Sequence, residues 1–313
     1  MLKQLLLAGA ALALVAGPAA APAAAKDLNS IGITLGSLGN PFFVALSKGA
    51  EDEAKKINPN VKVNTASADY DLNKQFTQID NFIASGVDLI LLNAADAKAI
   101  APAVKRAQAA GITVVAVDVA AAAVDATVQT NNVQAGEIAC QYIVEKLDGK
   151  GDVIIQNSNQ VSSIIDRVNG CKAVLAKNPG INVLSDDQNG KGDREGGMNV
   201  MQGHLTRFPH IDAVFTINDP QAIGSDLAAK QMGRSEFFIT SVDGAPDIET
   251  ALKGNTLVQA SASQDPYKIA QTGVEIGYDI MNGKKPAEPM ILLPSELITR
   301  DNIADYKGWS APR

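Results

Sequence analysis

The chain has 313 residues, of which 46% are hydrophobic, so it can bury more than one core and two domains are expected. It carries 34 acidic and 27 basic residues, for a net charge of −7, and the basic residues form no cluster. This balance argues against nucleic acid and anionic membrane surfaces as partners.

Residues 1–25 have the pattern of a secretion signal. Lys3 supplies a positive start, an apolar run extends from Leu5 to Val15, and small residues precede an expected cleavage after Ala25. The run is shorter than the roughly 18 to 20 apolar residues that cross a bilayer. We therefore expect an exported, soluble mature protein.

Strand and helix patterns alternate through the first half of the mature chain. The predicted strands are Ile31–Leu35, Val61–Ala66, Val87–Leu92 and Ile112–Val117, and the predicted helices are Pro41–Ile57, Leu72–Ala84 and Ala97–Ala110. Apolar strands separated by helices are typical of a parallel sheet with both faces covered.

A second series of the same kind follows. Its strands are expected at Ala126–Thr130, Val153–Gln156, Ile181–Leu184, Ala213–Ile217, Phe237–Val242, Thr256–Ala260 and near Met290–Leu293. Its helices are expected at Val133–Leu147, Ser163–Lys177, Asp193–Arg207, Pro220–Met232, Pro246–Leu252 and Pro266–Met281. The predicted fold class is therefore α/β, with two Rossmann-like, doubly wound parallel-sheet lobes.

No long linker separates the two lobes, so we expect a hinge of three short crossings. The crossings are placed near Gln129–Asn131, Ser261–Gln264 and Leu293–Glu296. They assign residues 26–130 with 264–294 to an N-terminal lobe, and residues 131–263 with 295–313 to a C-terminal lobe and tail.

Polar side chains come directly after several predicted strands. The set consists of Asn93, Asp118, Asn218 and Asp243 at four strand ends, Gln264 at a fifth, and Arg167 near the start of a helix. Because ligands of open α/β sheets bind at the carboxyl ends of the strands, these side chains are candidates for one site. Each strand-end residue could instead be a helix N-cap.

The turn after the first strand adds an amide, Asn40, and two aromatic rings, Phe42 and Phe43. The rings could belong to the helix core, or they could cover the apolar face of a ligand. Amides, carboxylates and an arginine fork can together saturate the hydroxyl groups of a small polyhydroxylated molecule. The combination predicts a sugar site.

These residues resemble the ribose-binding branch of the periplasmic solute-binding proteins of sugar ABC transporters. The resemblance covers about Leu28 to Ile298. It rests on the order and spacing of Asn40-Pro41-Phe42-Phe43, Asn93, Asp118, Asp166-Arg167-Val168-Asn169-Gly170, Phe215-Thr216-Ile217-Asn218-Asp219, Val242-Asp243-Gly244-Ala245-Pro246-Asp247 and Gln264. It implies a type I periplasmic binding protein whose two lobes close on one monosaccharide.

The resemblance also implies where each candidate residue lies. Positions on the first lobe or the hinge are matched by Asn40, Phe42, Phe43, Asn93, Asp118 and Gln264, and positions on the second lobe by Arg167, Asn218 and Asp243.

The chain departs from the ribose-binding pattern at two positions. Ribose binders carry Arg where this sequence has Val119, and an aromatic residue where it has Gly192. We therefore expect another pentose, a furanose-form sugar, a hexose or a polyol as the preferred ligand. The polar side chains expected to replace some of the hydrogen bonds are Asn157, Asn159, Gln160 and Ser163.

The expected function is capture of a monosaccharide or polyol and its delivery to an ABC-transporter permease. A chemoreceptor stays open as a further partner, and we expect a monomer that needs no cofactor or metal. A transcription regulator of the lactose-repressor type would begin with a helix-turn-helix, whereas this sequence begins with an export signal. The enzymatic alternative is a secreted sugar-processing enzyme that uses the carboxylates of Asp118 and Asp243.

Cys140 and Cys171 are the only cysteines of the chain and lie on successive predicted helices. Because the signal directs the protein to an oxidising compartment, we expect them to form a disulfide. Two buried free thiols are the alternative.

Overall fold

A computed structural model describes residues 26–309, and the predicted signal segment lies outside the described residues. The strands of this part are β1 (Ser30–Leu35), β2 (Lys62–Ser67), β3 (Leu89–Leu92), β4 (Thr113–Val117), β5 (Ala126–Thr130), β6 (Lys150–Gln156), β7 (Gly180–Ser185), β8 (Ala213–Thr216), β9 (Phe238–Asp243), β10 (Val258–Ser263), β11 (Met290–Leu293) and β12 (Glu296–Thr299). The helices are α1 (Pro41–Ile57), α2 (Leu72–Ser85), α3 (Ala101–Ala109), α4 (Asn132–Lys146), α5 (Ser162–Leu175), α6 (Arg194–Arg207), α7 (Asp219–Met232), α8 (Pro246–Lys253) and α9 (Pro266–Met281).

The strands form two six-stranded sheets. The first has the order β11-β5-β4-β3-β1-β2, and all its pairings are parallel. The second has the order β12-β10-β9-β8-β6-β7 and is parallel except at β12, which runs antiparallel to β10. The α/β class with two parallel-sheet lobes, predicted from the sequence, is confirmed.

The edge strand β12 is missing from the prediction, which treats Leu293–Glu296 as a simple crossing. Only Ile298 of its four residues is buried, and the strand follows closely after Pro294, so it lacks the length and the apolar alternation of a recognisable strand. In the structure Ser263 pairs with Glu296 and Ala260 with Thr299, which covers one edge of the second sheet.

Local side-chain bonds explain why some element bounds follow the prediction and others do not. Helix α1 begins after Asn40, whose Oδ1 accepts a hydrogen bond from the N–H of Phe42, and Pro41 occupies its first turn. Helix α3 begins at Ala101 rather than at Ala97. The carboxylate of Asp96 accepts the N–H groups of the two residues 98 and 99, which holds the preceding stretch as a turn.

The chain passes between the sheets three times, after β5, after β10 and after β11. The second passage leads into α9, which packs along α1 so closely that a Cβ on Gly49 would lie 2.3 Å from the carbonyl oxygen of Tyr267. After β12 the chain turns back toward the first sheet, and Trp309 is buried in the same cluster as Phe42. The end of the tail therefore packs with the first core, although the sequence-based division assigns residues 295–313 to the second lobe.

Helices α4 and α5 are joined by a disulfide between Cys140 and Cys171, whose Cα atoms are 5.1 Å apart. The predicted pairing is thus confirmed. Gly136 and Gly170 face the backbone of the opposite helix at distances that leave no room for a Cβ. This close packing fixes the position of α5, the helix that carries Arg167.

Within residues 26–309, the helices fall short of the combination of length and apolar character that spanning a bilayer requires.

Candidate functional site

One cavity lies where the carboxyl ends of the strands of both sheets meet. It is lined by all nine ligand-binding candidates, namely Asn40, Phe42, Phe43, Asn93, Asp118, Arg167, Asn218, Asp243 and Gln264. The structure thus brings together residues from the ends of β3 and β4 in the first sheet and from the ends of β8, β9 and β10 in the second. Their contact with a ligand stays a prediction.

Asp118 is a buried carboxylate that forms no salt bridge within residues 26–309. Its Oδ2 accepts a hydrogen bond from Nδ2 of Asn93 at 2.8 Å. Burial raises the pKa of Asp118 to about 6, although the positive charge of Arg167 acts in the opposite direction. Val119, next in the chain, adds an apolar wall to the cavity instead of a charge.

The guanidinium of Arg167 is held by three groups and is almost completely buried. Its Nε donates to Oδ1 of Asn132 at 2.9 Å, and its Nη1 donates to the carbonyl of Ile217 at 2.8 Å. Nη1 also lies 3.4 Å from Oδ1 of Asp243. Since none of these bonds uses Nη2, part of the fork is left to donate to a ligand.

Asp243 ends β9 in an unusual backbone conformation, with φ at 138°. Nε2 of Gln264 donates to its Oδ1 at 2.7 Å, and the backbone N–H of Gln264 donates to its carbonyl at 2.8 Å. Burial raises the pKa of Asp243, and the nearby Arg167 guanidinium opposes that change. Oε1 of Gln264 is buried and has no hydrogen-bond partner in the described part of the chain, so it is an acceptor without a donor.

Another buried carboxylate, that of Asp219, supports the turn that follows β9. It accepts hydrogen bonds from the hydroxyl groups of Ser241 and Ser261 and from the N–H of Ala245, the last at 2.7 Å. Burial raises the pKa of Asp219, and the negative charge of Asp243 raises it further. From the sequence, Asp219 is expected only as part of a motif, with no role of its own.

The aromatic residues of the first lobe belong both to the core and to the cavity wall. Phe42 and Phe43 are each 4% exposed, and their rings meet edge to face with centroids 5.4 Å apart. Tyr70, which the sequence analysis missed, lines the cavity and packs edge-on against Phe43. A Cβ on Gly36 would lie 2.6 Å from the Tyr70 ring, so this glycine allows the close approach.

The helix-cap interpretation holds for Asn218, and Asn40 caps α1 although no cap was expected there; both residues also line the cavity. Oδ1 of Asn218 accepts the N–H of Gln221, and its Nδ2 donates to the carbonyl of Gly192 at 2.8 Å, so its amide is already engaged. Asn93, Asp118 and Asp243 do not cap the helices that follow them, because α3, α4 and α8 each begin after another residue.

Two loops of the second lobe and the first turn of α5 complete the lining. The loops contribute Ser158, Asn159, Val161, Lys191 and Gly192, and the helix contributes Ser163 and Ile164. Of the four polar residues expected to compensate for the missing groups, Asn159 and Ser163 reach the cavity. Asn157 and Gln160 do not, because their amides donate instead to the carbonyl groups of the two residues 186 and 158. Gly192 has φ at 74°, so any side chain placed there would be strained in this backbone.

Known proteins resemble this chain in sequence over most of its length. Residues 31–285 match the periplasmic binding protein domain family. The ribose import binding protein of Bacillus subtilis is 34% identical over 280 residues, which cover 87% of each chain. The xylitol-binding protein of Mycolicibacterium smegmatis is 32% identical over 297 residues, 93% of this chain and 83% of that protein.

Solved structures share the fold. An ABC transporter solute-binding protein from Agrobacterium vitis, bound with α-D-tagatopyranose, superposes with a TM-score of 0.81 at 26% identity and covers 88% of this chain and 96% of its own. The periplasmic binding protein of the Shewanella arabinose ABC transporter superposes with a TM-score of 0.83 at 24% identity, covering 88% and 94%. These relatives and structural neighbours are named as binding proteins.

Proposed function

Because this chain belongs to the periplasmic binding protein family, we propose that it captures a monosaccharide or a related polyol between its two lobes and delivers it to an ABC-transporter permease. One observation carries the proposal. Groups that can hydrogen-bond to hydroxyls, on Asp118, Arg167 and Gln264, surround one cavity beside the rings of Phe42 and Phe43. An apolar wall with a few converging polar groups is what a small sugar requires.

The class of ligand is a pentose, a hexose or a polyol other than ribose. Named relatives bind ribose and xylitol, and a structural neighbour holds tagatopyranose, which supports this class. Two features disfavour ribose. Val119 supplies no second arginine beside Asp118, and Gly192 supplies no aromatic wall. A buried hydroxyl without its partner costs about 1–3 kcal/mol of binding free energy.

Closure of the two lobes accompanies binding in this proposal. The N-terminal lobe comprises residues 26–130 with 264–294, and the C-terminal lobe and tail comprise residues 131–263 with 295–313. The nine candidates hold the ligand, and the protein acts as a periplasmic monomer after cleavage behind Ala25. The partner is a membrane permease, and the site binds its sugar without converting it.

Mass spectrometry of small molecules retained on the purified protein tests the proposal first. Calorimetric titration with D-ribose, xylitol, D-allose, D-tagatose and myo-inositol then ranks the candidates. We expect a sugar or polyol to bind, and one other than ribose to bind tightest. If ribose binds tightest, with a sub-micromolar dissociation constant, the exclusion of ribose is wrong. If nothing is retained and no member of the panel binds, the proposed ligand class is wrong.

Incubation with glycosides tests the enzymatic alternative separately. A binding protein leaves them intact, whereas a product that disappears in an Asp118→Asn variant would support the sugar-processing enzyme.

A further inference from the structure

The last described residues lie behind the wall of the cavity. After β12 the chain leads to Tyr306, which is partly buried, and to Trp309, which is only 7% exposed. Neither residue lines the cavity itself. Trp309 nevertheless contacts residues that line the cavity, and Tyr306 contacts a residue next to one that does.

Trp309 joins two parts of the cavity. Its ring meets the ring of Phe42 edge to face, with centroids 5.7 Å apart. Its indole Nε1 donates a hydrogen bond to the carbonyl of Gln264 at 2.9 Å. Trp309 thus connects the first turn of α1 with the crossing that follows β10.

Tyr306 reaches the third part, the turn after β9. Its hydroxyl donates to the carbonyl of Gly244 at 2.9 Å, one residue beyond Asp243. A Cβ on Gly244 would lie 2.4 Å from that hydroxyl, so the tyrosine occupies space that only a glycine leaves open. Both Asp243 and Gly244 have positive φ, at 138° and 73°. Glycine adopts such a φ freely, but at Asp243 it is strained and must be maintained by surrounding contacts.

We propose that Tyr306 and Trp309 are positioning residues for ligand binding, so that the C-terminal segment 300–309 is part of the binding machinery. Trp309 holds Phe42 and Gln264 in place, and Tyr306 holds the residue that follows Asp243. A site whose groups are already fixed loses less conformational freedom when the ligand arrives. This role rests on the proposed function of the cavity.

The test compares Trp309→Ala, Trp309→Phe and Tyr306→Phe with a matched control, Phe237→Ala. Phe237 is also a buried aromatic residue, 3% exposed, and does not line the cavity. It belongs to a core cluster of the second sheet against which Tyr306 packs, whereas Trp309 belongs to the first core, so Phe237→Ala is the control for the Trp309 variants. The control therefore reports what general loss of core packing does to binding.

Hydrogen exchange of the ligand-free proteins is the first measurement. We expect exchange at residues 243–245 and at residues 264 and 265 to accelerate about tenfold in Trp309→Ala, and exchange at residues 243–245 to accelerate in Tyr306→Phe. Residues 153–156 of β6 should be unaffected. Unchanged exchange in both segments would overturn the positioning role, whether or not a sugar has been found.

Calorimetry with the tightest binder among D-ribose, xylitol, D-allose, D-tagatose and myo-inositol is the second measurement. Trp309→Ala should weaken binding about tenfold or more, because both the ring contact and the hydrogen bond are lost. Trp309→Phe should restore most of the affinity, and Phe237→Ala should keep that of the natural protein. Equal losses in Trp309→Ala and Phe237→Ala would overturn the inference. Failure of the natural protein to bind any panel member counts against the proposed function, and exchange alone then decides the positioning role.

Discussion

Arg167 and Asp243 form a buried salt bridge, with 3.4 Å between Nη1 and Oδ1. Asp118 shares the cavity but forms no such bridge within residues 26–309. The buried lining therefore holds two carboxylates and one guanidinium. Hydroxyl groups of a ligand, which can donate to carboxylates, would satisfy the oxygens that the protein itself leaves open.

The first prediction is that Arg167→Ala weakens ligand binding by about 2 kcal/mol or more. The substitution removes a donor to the ligand and leaves the carboxylate of Asp243 buried without its counter-charge. Calorimetric titration measures the loss. Arg167→Lys is the control, because it keeps the charge but not the planar fork, and it should recover only part of the affinity. An Arg167→Ala protein whose affinity lies within about twofold of the natural one would contradict this role.

The second prediction concerns pH. Burial holds the pKa of Asp118 at about 6 in the ligand-free protein, and hydroxyls that donate to the carboxylate favour its ionised form. Binding therefore lowers that pKa and releases a proton, so affinity should be highest above about pH 6 and fall as the pH drops through that value. Asp243, whose pKa burial also raises, acts in the same direction.

Titrations between about pH 5 and pH 8 measure this dependence. The Asp118→Asn variant keeps an oxygen that can accept the bond from Asn93, so it serves as the matched control. It should bind more weakly and with a flatter pH profile. A natural protein whose affinity is the same across the range would show that Asp118 stays ionised throughout.

The third prediction is that loss of the Cys140–Cys171 bond lowers the free energy of unfolding by roughly 3 kcal/mol. The bond closes a loop of 31 residues in sequence separation and restricts the unfolded chain. Urea unfolding of a double Cys→Ala variant measures the effect while keeping small apolar side chains at both buried positions. Two free thiols per denatured chain, counted without reductant after export, would contradict the bond.

The fourth prediction is that the protein closes on its ligand. The N–H of Ala120, in the loop after β4, donates to Oγ of Ser162, the first residue of α5, at 2.9 Å, so this bond joins the first lobe to the second. Small-angle scattering should give a smaller radius of gyration with ligand than without it. An unchanged profile at saturation would argue against closure.

A variant pair isolates the contribution of that contact. Ser162→Ala removes the hydroxyl and should weaken binding by about 1 kcal/mol if the contact forms only on closure. Ser85→Ala is the control, because its hydroxyl donates to a carbonyl within α2, away from the cavity. Equal affinities of the two variants would show that the contact does not stabilise the closed state.

The repeated strand and helix patterns predict the fold because each pattern depends on neighbouring residues. The bounds of α1 and α9 agree with the prediction, since a capping side chain and a proline mark each start. Strand β12 is different, because its pairing with β10 depends on a partner more than 30 residues away in the chain. Short elements stabilised by such distant pairing leave little trace in local sequence.

The residues of the candidate site also divide into those that local sequence predicts and those that it does not. Asn93, Asp118 and Asp243 could be predicted because each follows an apolar strand, and strand ends converge in this fold. Tyr70 and Trp309 could not, since their roles arise from ring contacts with residues distant in sequence. The sequence around Trp309 contains no pattern that indicates its packing against Phe42.

The return of the chain through α9 and β11 has a consequence for the order of folding. The strands of the second sheet from β6 to β10 come from one continuous stretch, whereas the first sheet requires β11, which pairs with β5 across more than 150 residues. During synthesis or export from the N-terminus, β1 to β5 emerge first but cannot complete their sheet until residues 290–293 follow. The half of the protein that is made first thus waits for nearly the whole chain, and until β11 follows, the edge of β5 with which it pairs is exposed to other chains.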